Sequence, residues 1–105
     1  MGNLFAAVPP GRAEEEILPL AAGDGVRIER IVSCGHASAP GFWYDQDGPE
    51  WVALLQGGAT LEFADGRSVQ LRPGDYLTIA AHVRHRVAWT SADPPAVWLA
   101  VHYQG

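Results

Sequence analysis

The residues with the most chemistry lie in FWYDQDGPEWVALLQG, Phe42 to Gly57. Three aromatics open it. A carboxylate, an amide and a second carboxylate (Asp45, Gln46, Glu50) follow, just ahead of an apolar run that stops at Gly57. A carboxylate heading a buried strand is costly to desolvate unless it is paired or metal-bound. Carboxylate with imidazole suits Zn, Fe, Mn or Ni, and an amide oxygen can complete such a shell. The same stretch could instead hold an organic ligand. Asp45, Asp47 and Gly48 also read simply as a turn, since Asx side chains bond their own backbone there.

Other reactive groups are few. All seven basic residues are Arg, which excludes Schiff-base chemistry and a lysine base. The formal charge of -5 and the lack of a basic block make nucleic acid and anionic membrane surfaces poor partners. The one Cys, Cys34, allows no intrachain disulfide, so a reducing cytoplasm is the expected compartment. It reads as a small buried hydrophobe before it reads as a reactive thiolate. The N-terminus has neither the charged region nor the apolar core of a signal peptide. No apolar run reaches the roughly 18 residues of a membrane span.

The elements that must position these groups are short. The chain of 105 residues fits one domain, and 48% hydrophobic with 18% charged residues is globular composition. The first 12 residues, rich in Pro and Gly, read as a loose arm. AEEEILPLAAGDG begins a short helix or an edge strand, with Pro19 against a long helix. Residues 1–20 are taken as an N-terminal arm and 21–105 as the domain. Strands are expected over 26–33, 51–56, 59–64, 67–71, 76–81, 85–90 and 96–103. Asp65-Gly66 and Arg72-Pro73-Gly74-Asp75 supply turns. With no helix of ten residues, this is an all-β sandwich or barrel. The last strand, AVWLAVHY, is apolar on both faces, which a second sheet or a second subunit would explain; a homodimer is expected.

The two turn regions resemble the cupin superfamily. Glu50-Trp51-Val52-Ala53-Leu54-Leu55-Gln56-Gly57 fits the Glu-to-Gly part of the first cupin motif. LRPGDYLTIAAHVRH fits the second, with Gly74-Asp75 in place, Ala80 where Pro is usual, His82 where Gly is usual, and His85 at the ligand histidine. The resemblance spans about residues 26–103. It implies a jelly-roll β-barrel (a double-stranded β-helix), often dimeric, commonly with a metal in the barrel mouth. The two histidines that precede Glu50 in the family are absent. Tyr44 and Gln46 take their places, or Trp43 and Asp45 if the spacing is one longer. A three-His, one-Glu iron site cannot be built.

The resemblance therefore implies a divalent metal (Zn, Ni, Mn or Fe) held by Glu50 and His85 with one or two of Gln46, Asp45 and His82. Phosphomannose-isomerase-like cupins use a Gln with His and Glu. Glu50 and Tyr44 are the candidate catalytic groups, and Trp43, Trp51 and Arg86 the candidate contacts to a bound small molecule. Arg84 and Arg86 flank His85 and could grip a carboxylate or phosphate, although alternating surface charge is the simpler reading. His36 and His102 read first as structural and second as pocket-lining. Three functions follow: a metal-dependent cupin acting on a small organic molecule, a metal-free ligand-binding or sensor module, and a metal-free sugar isomerase or epimerase with His85 as base and Tyr44 as acid.

Overall fold

A computed structural model of the chain describes residues 1–8 and 15–104. Eight strands form: β1 (Glu16–Gly23), β2 (Val26–Ser33), β3 (Glu50–Gln56), β4 (Ala59–Phe63), β5 (Ser68–Leu71), β6 (Tyr76–Ile79), β7 (His85–Thr90) and β8 (Ala96–Tyr103). There is no helix among the described residues, so none is long and apolar enough to cross a membrane. The all-β expectation holds. The strands make a five-stranded sheet, β1-β2-β8-β3-β6, and a three-stranded sheet, β5-β4-β7.

Alternation along the strands builds the core. Val52 and Leu54 of β3, Leu61 and Phe63 of β4, and Trp98 of β8 meet between the sheets with Leu71 and Ile79. Each removes apolar surface from water, worth about 1.5–3 kcal/mol for a fully buried large side chain. The opposite faces of β3 and β8 are less covered, and Trp51 there packs on Tyr76 with ring centroids 5.6 Å apart.

The segment that read as helix or edge strand is the edge strand β1, paired antiparallel with β2 from Glu16 to Gly23. Its register shifts between Pro19 and Ala21, as the missing Pro N–H favours at a sheet edge. Residues 16–20 of the expected arm thus belong to the sheet. The loose arm read over the first 12 residues is not loose throughout. Buried Arg30 donates to the carbonyls of Ala6 (2.6 Å) and Leu4 (3.3 Å) and to Glu16 Oε1 (2.7 Å), which holds that turn against β2. Residues 9–12, and the Ala-Glu that opens AEEE, lie outside the described residues. Three strands have tighter bounds than expected: β4 stops at Phe63, β5 starts at Ser68 and β6 stops at Ile79.

The β3–β4 corner depends on Gly57. Its φ is +79°, and a Cβ added there would meet Ser91 Oγ at 2.5 Å, Pro95 O at 2.8 Å and Ala96 Cα at 2.9 Å. Two of these contacts are backbone, so nothing yields easily. Gly57→Ala is expected to destabilise the fold by about 2–4 kcal/mol, combining left-handed strain with overpacking. A urea titration with the midpoint lowered at unchanged slope checks this.

Candidate active site

Tyr44 and His85 exchange both backbone hydrogen bonds, Tyr44 N to His85 O at 2.7 Å and His85 N to Tyr44 O at 3.1 Å. Directly opposed residues in such a bridge project to the same face. The two rings accordingly stack, with centroids 5.4 Å apart and planes 25° apart. His85 is also fixed from behind: its Nδ1 lies 2.9 Å from Val83 O. A carbonyl oxygen can only accept, so Nδ1 carries the proton and the neutral ring presents its lone pair at Nε2.

Nε2 points toward Glu50, 3.7 Å from Oε1. Glu50 opens β3 beside His102 of β8, to which it is paired across the ladder. Its other oxygen, Oε2, lies 3.5 Å from His102 Nε2. That same nitrogen is 3.4 Å from Glu29 Oε1, and Glu29 Oε2 accepts from Arg27 Nε at 3.1 Å. The result is a chain of alternating charge types, His85–Glu50–His102–Glu29–Arg27. Its side chains run from 6% exposed at His85 to 56% at Arg27, so the inner end is dry and the outer end meets solvent.

These groups line one cavity of about 260 Å³, open at one end. Tyr44, Gln46, Glu50, His85 and His102 form its polar wall together with Glu15, Glu29, Ser33 and Arg27, of which Arg27 is the most exposed. Ile31, Val52, Leu61, Ile79, Val87 and Trp98 form the apolar wall. Burial is the largest single influence on His85 and lowers its pKa, but Glu50 and the Val83 carbonyl together outweigh it and hold the ring above the usual 6.5. Burial pushes the Tyr44 hydroxyl above its usual 10, helped by the charges of Glu15 and Glu50.

Of the residues singled out from sequence, Glu50, Tyr44, Gln46 and His85 come together in this cavity. Apart from His102, the others do not line it. Asp45 and His82 pair with each other on the exposed rim, Oδ1 to Nδ1 at 2.8 Å. His82 adopts φ +61°, the left-handed conformation that explains why the family favours Gly at this place. Trp43 lies under the Arg84 guanidinium, 5.8 Å from its ring centroid. Trp51 is on the outer face of β3 with Tyr76. Arg86 turns outward to Glu62 Oε1 (2.7 Å) and Ser38 O (2.9 Å). His36 organises its own loop, its Nδ1 accepting from Cys34 N at 2.8 Å and its carbonyl from Thr90 Oγ1 at 2.5 Å. Cys34 Sγ lies 3.3 Å from Ala92 O. His102, read first as structural, is a full member of the polar wall. Sequence reasoning missed Glu29, Arg27, Ser33 and Glu15.

The donor set does not fit a metal ion well. Among the described residues no three His, Cys, Asp or Glu gather into a group that could hold one. Glu50 turns its two oxygens to two different imidazoles, His85 and His102.

The two sheets enclose a cavity with a polar cluster on one wall. The family model for the cupin domain matches residues 32–102, and the chain belongs to that family. Among solved structures it resembles a Ralstonia eutropha JMP134 protein provisionally described as a mannose-6-phosphate isomerase. The two are 51% identical, with TM-score 0.95, over 100% of this chain and 98% of that one. A cupin superfamily protein from Desulfitobacterium hafniense DCB-2 is 21% identical, with TM-score 0.80, over 100% and 92% of the two chains. A cupin-2 domain protein from Shewanella frigidimarina NCIMB 400 is 14% identical, with TM-score 0.69, over 85% and 80%. The last two bear on the fold alone. No curated protein matches the sequence.

Proposed function

We propose that the cavity is the active site of an acid–base isomerase for a small sugar-type aldose or ketose. The carrying observation is the grouping of Tyr44, His85, Glu50 and His102 in one cavity. The 51% identity to a protein provisionally described as a mannose-6-phosphate isomerase supports it. His85 Nε2 takes the proton from the carbon beside the carbonyl. Tyr44 donates its hydroxyl proton to the carbonyl oxygen, giving an enediol. Return of the carbon-bound proton to the neighbouring carbon and of the second hydroxyl proton to Tyr44 completes the exchange. One carbon is reduced and its neighbour oxidised, so no outside oxidant or reductant is needed. Glu50 steadies the imidazolium that forms, and His102 holds the far oxygen of Glu50. The apolar wall excludes water from the enediol.

Metal assistance, the chemistry commonest in the family, has in its favour that Gln46, Glu50 and His85 share the cavity. The poor convergence of the donors weighs against it, and no step above uses a metal. Tyr44→Phe keeps the stacked ring and deletes the acid. It is expected to lower kcat for mannose–fructose interconversion by about 10²–10⁴-fold with a smaller change in KM. A Tyr44→Phe enzyme of undiminished kcat would remove Tyr44 from this role, and wild type inert toward aldoses and their phosphates would remove the isomerase reading.

The chain is also proposed to form a homodimer through the outer face of β3, β6 and β8, where Trp51 and the 68%-exposed Tyr76 lie. Light scattering on the eluted protein is expected to give twice the monomer mass, and Tyr76→Glu to give the monomer.

A further inference from the structure

We infer that this cavity selects an uncharged or cationic small molecule with an apolar face and disfavours a phosphorylated one. The inference rests on the reading of the cavity as a ligand site and narrows the substrate class proposed for it.

The cavity carries three carboxylates, Glu15, Glu29 and Glu50, against one guanidinium, Arg27. Arg27 is already matched, its Nε donating to Glu29. Both cavity imidazoles face Glu50, so a proton gained by either is matched by a carboxylate within 3.7 Å. A phosphate monoester brings about -1.5 to -2 charges at neutral pH and needs unmatched cations or free N–H groups. The two arginines that flank His85 cannot supply them: Arg86 is bound to Glu62 and Ser38, and Arg84 lies over Trp43. The charges of Glu15 and Glu50 already resist ionisation of the Tyr44 hydroxyl, and the same field opposes any second anion.

The other wall narrows the body of the ligand. Ile31, Val52, Leu61, Ile79, Val87 and Trp98 offer no hydrogen bond to a polar group except at the Trp98 indole N–H. A molecule that stays there presents a hydrocarbon face, such as the C–H face of a sugar ring. The volume of about 260 Å³ is below that of most drug-sized sites, which limits the ligand to one small ring. An added phosphate would share this space with Glu15, Glu29 and Glu50.

One body with three charges tests this. Dissociation constants of cyclohexanol, cyclohexylamine and cyclohexyl phosphate are measured by ligand-observed NMR on the full chain at low ionic strength. The alcohol and the amine are expected to bind, and the phosphate at least about tenfold more weakly. Salt is expected to narrow the gap. Glu15→Gln with Glu29→Gln is expected to narrow it too, and Glu15→Gln alone in the same direction. A phosphate that binds as tightly as the alcohol, or no binding by any of the three, overturns the inference. The outcome separates from the reaction. Isomerase activity confined to sugar phosphates would overturn the selectivity and keep the chemistry. An intact charge ranking without turnover would do the reverse.

Discussion

His85→Ala is expected to abolish turnover, with a loss of at least about 10³-fold in kcat, because general-base catalysis alone supplies about 10²–10⁴-fold. The variant removes the group whose lone pair is aimed into the cavity by the Val83 carbonyl behind it. The pH profile carries the finer test. His85 must be neutral to accept a proton, and Glu50 holds its pKa above 6.5. The acidic limb of kcat/KM is therefore expected above pH 6.5. In Glu50→Gln the raising charge is gone while burial still lowers the pKa, so that limb moves to lower pH. An unmoved limb would mean that another group sets it. Stability follows the same linkage: the His85–Glu50 contact contributes fully below pH 6.5 and is lost as pH rises through the higher folded-state pKa.

The largest expected loss of stability is in Trp98→Ala. Trp98 is 5% exposed, lies in the core between the sheets and also lines the cavity. Its truncation is expected to cost about 3–5 kcal/mol, a large part of the roughly 5–15 kcal/mol typical of a domain. Thermal unfolding checks this: a melting temperature lowered by less than about 5 °C would mean that the indole bears little of the packing. Because the removed ring is a wall of the cavity, the same variant enlarges the ligand site. It is expected to weaken the binding of apolar-bodied ligands even where the protein remains folded.

The strands were legible in the sequence because their alternation is strong and their turns carry Gly and Asp at the required places. β1 was ambiguous, since Pro19 argues against a helix without arguing for a partner, and only pairing with β2 decides the matter. Glu50 and His85 were legible through the motif resemblance. Two of the candidates that do not line the cavity, Trp51 and Arg86, miss it for one physical reason, the two-residue period of a strand. If Glu50 and His85 face inward, Trp51 and Arg86 face outward. That parity follows from the order of the residues alone.

His102 and Glu29 were harder. Each is a polar residue on a face whose burial depends on the sheet order β2-β8-β3, which places Arg27 opposite His102 and His102 opposite Glu50. Strand order is a long-range property, and no local pattern encodes it. The available signal was weaker. His102 shares its face of the last strand with Trp98 and Ala100, and a histidine continuing a buried face calls for partners. The polar face of β2, Arg27, Glu29 and Ser33 about Ile31, is the complement it meets.

Carbon–hydrogen exchange tests the role of His85 most directly. The protein is incubated in D₂O with mannose and, separately, with mannose-6-phosphate, and the C2 proton signal is followed by NMR. Enolisation by an active-site base predicts loss of that signal at a catalysed rate in wild type with at least one of the two, and no loss above background with His85→Ala. Wild type that leaves the C2 proton of both compounds untouched, or His85→Ala that exchanges it as fast as wild type, would contradict the assignment of His85 as the base of a sugar isomerase.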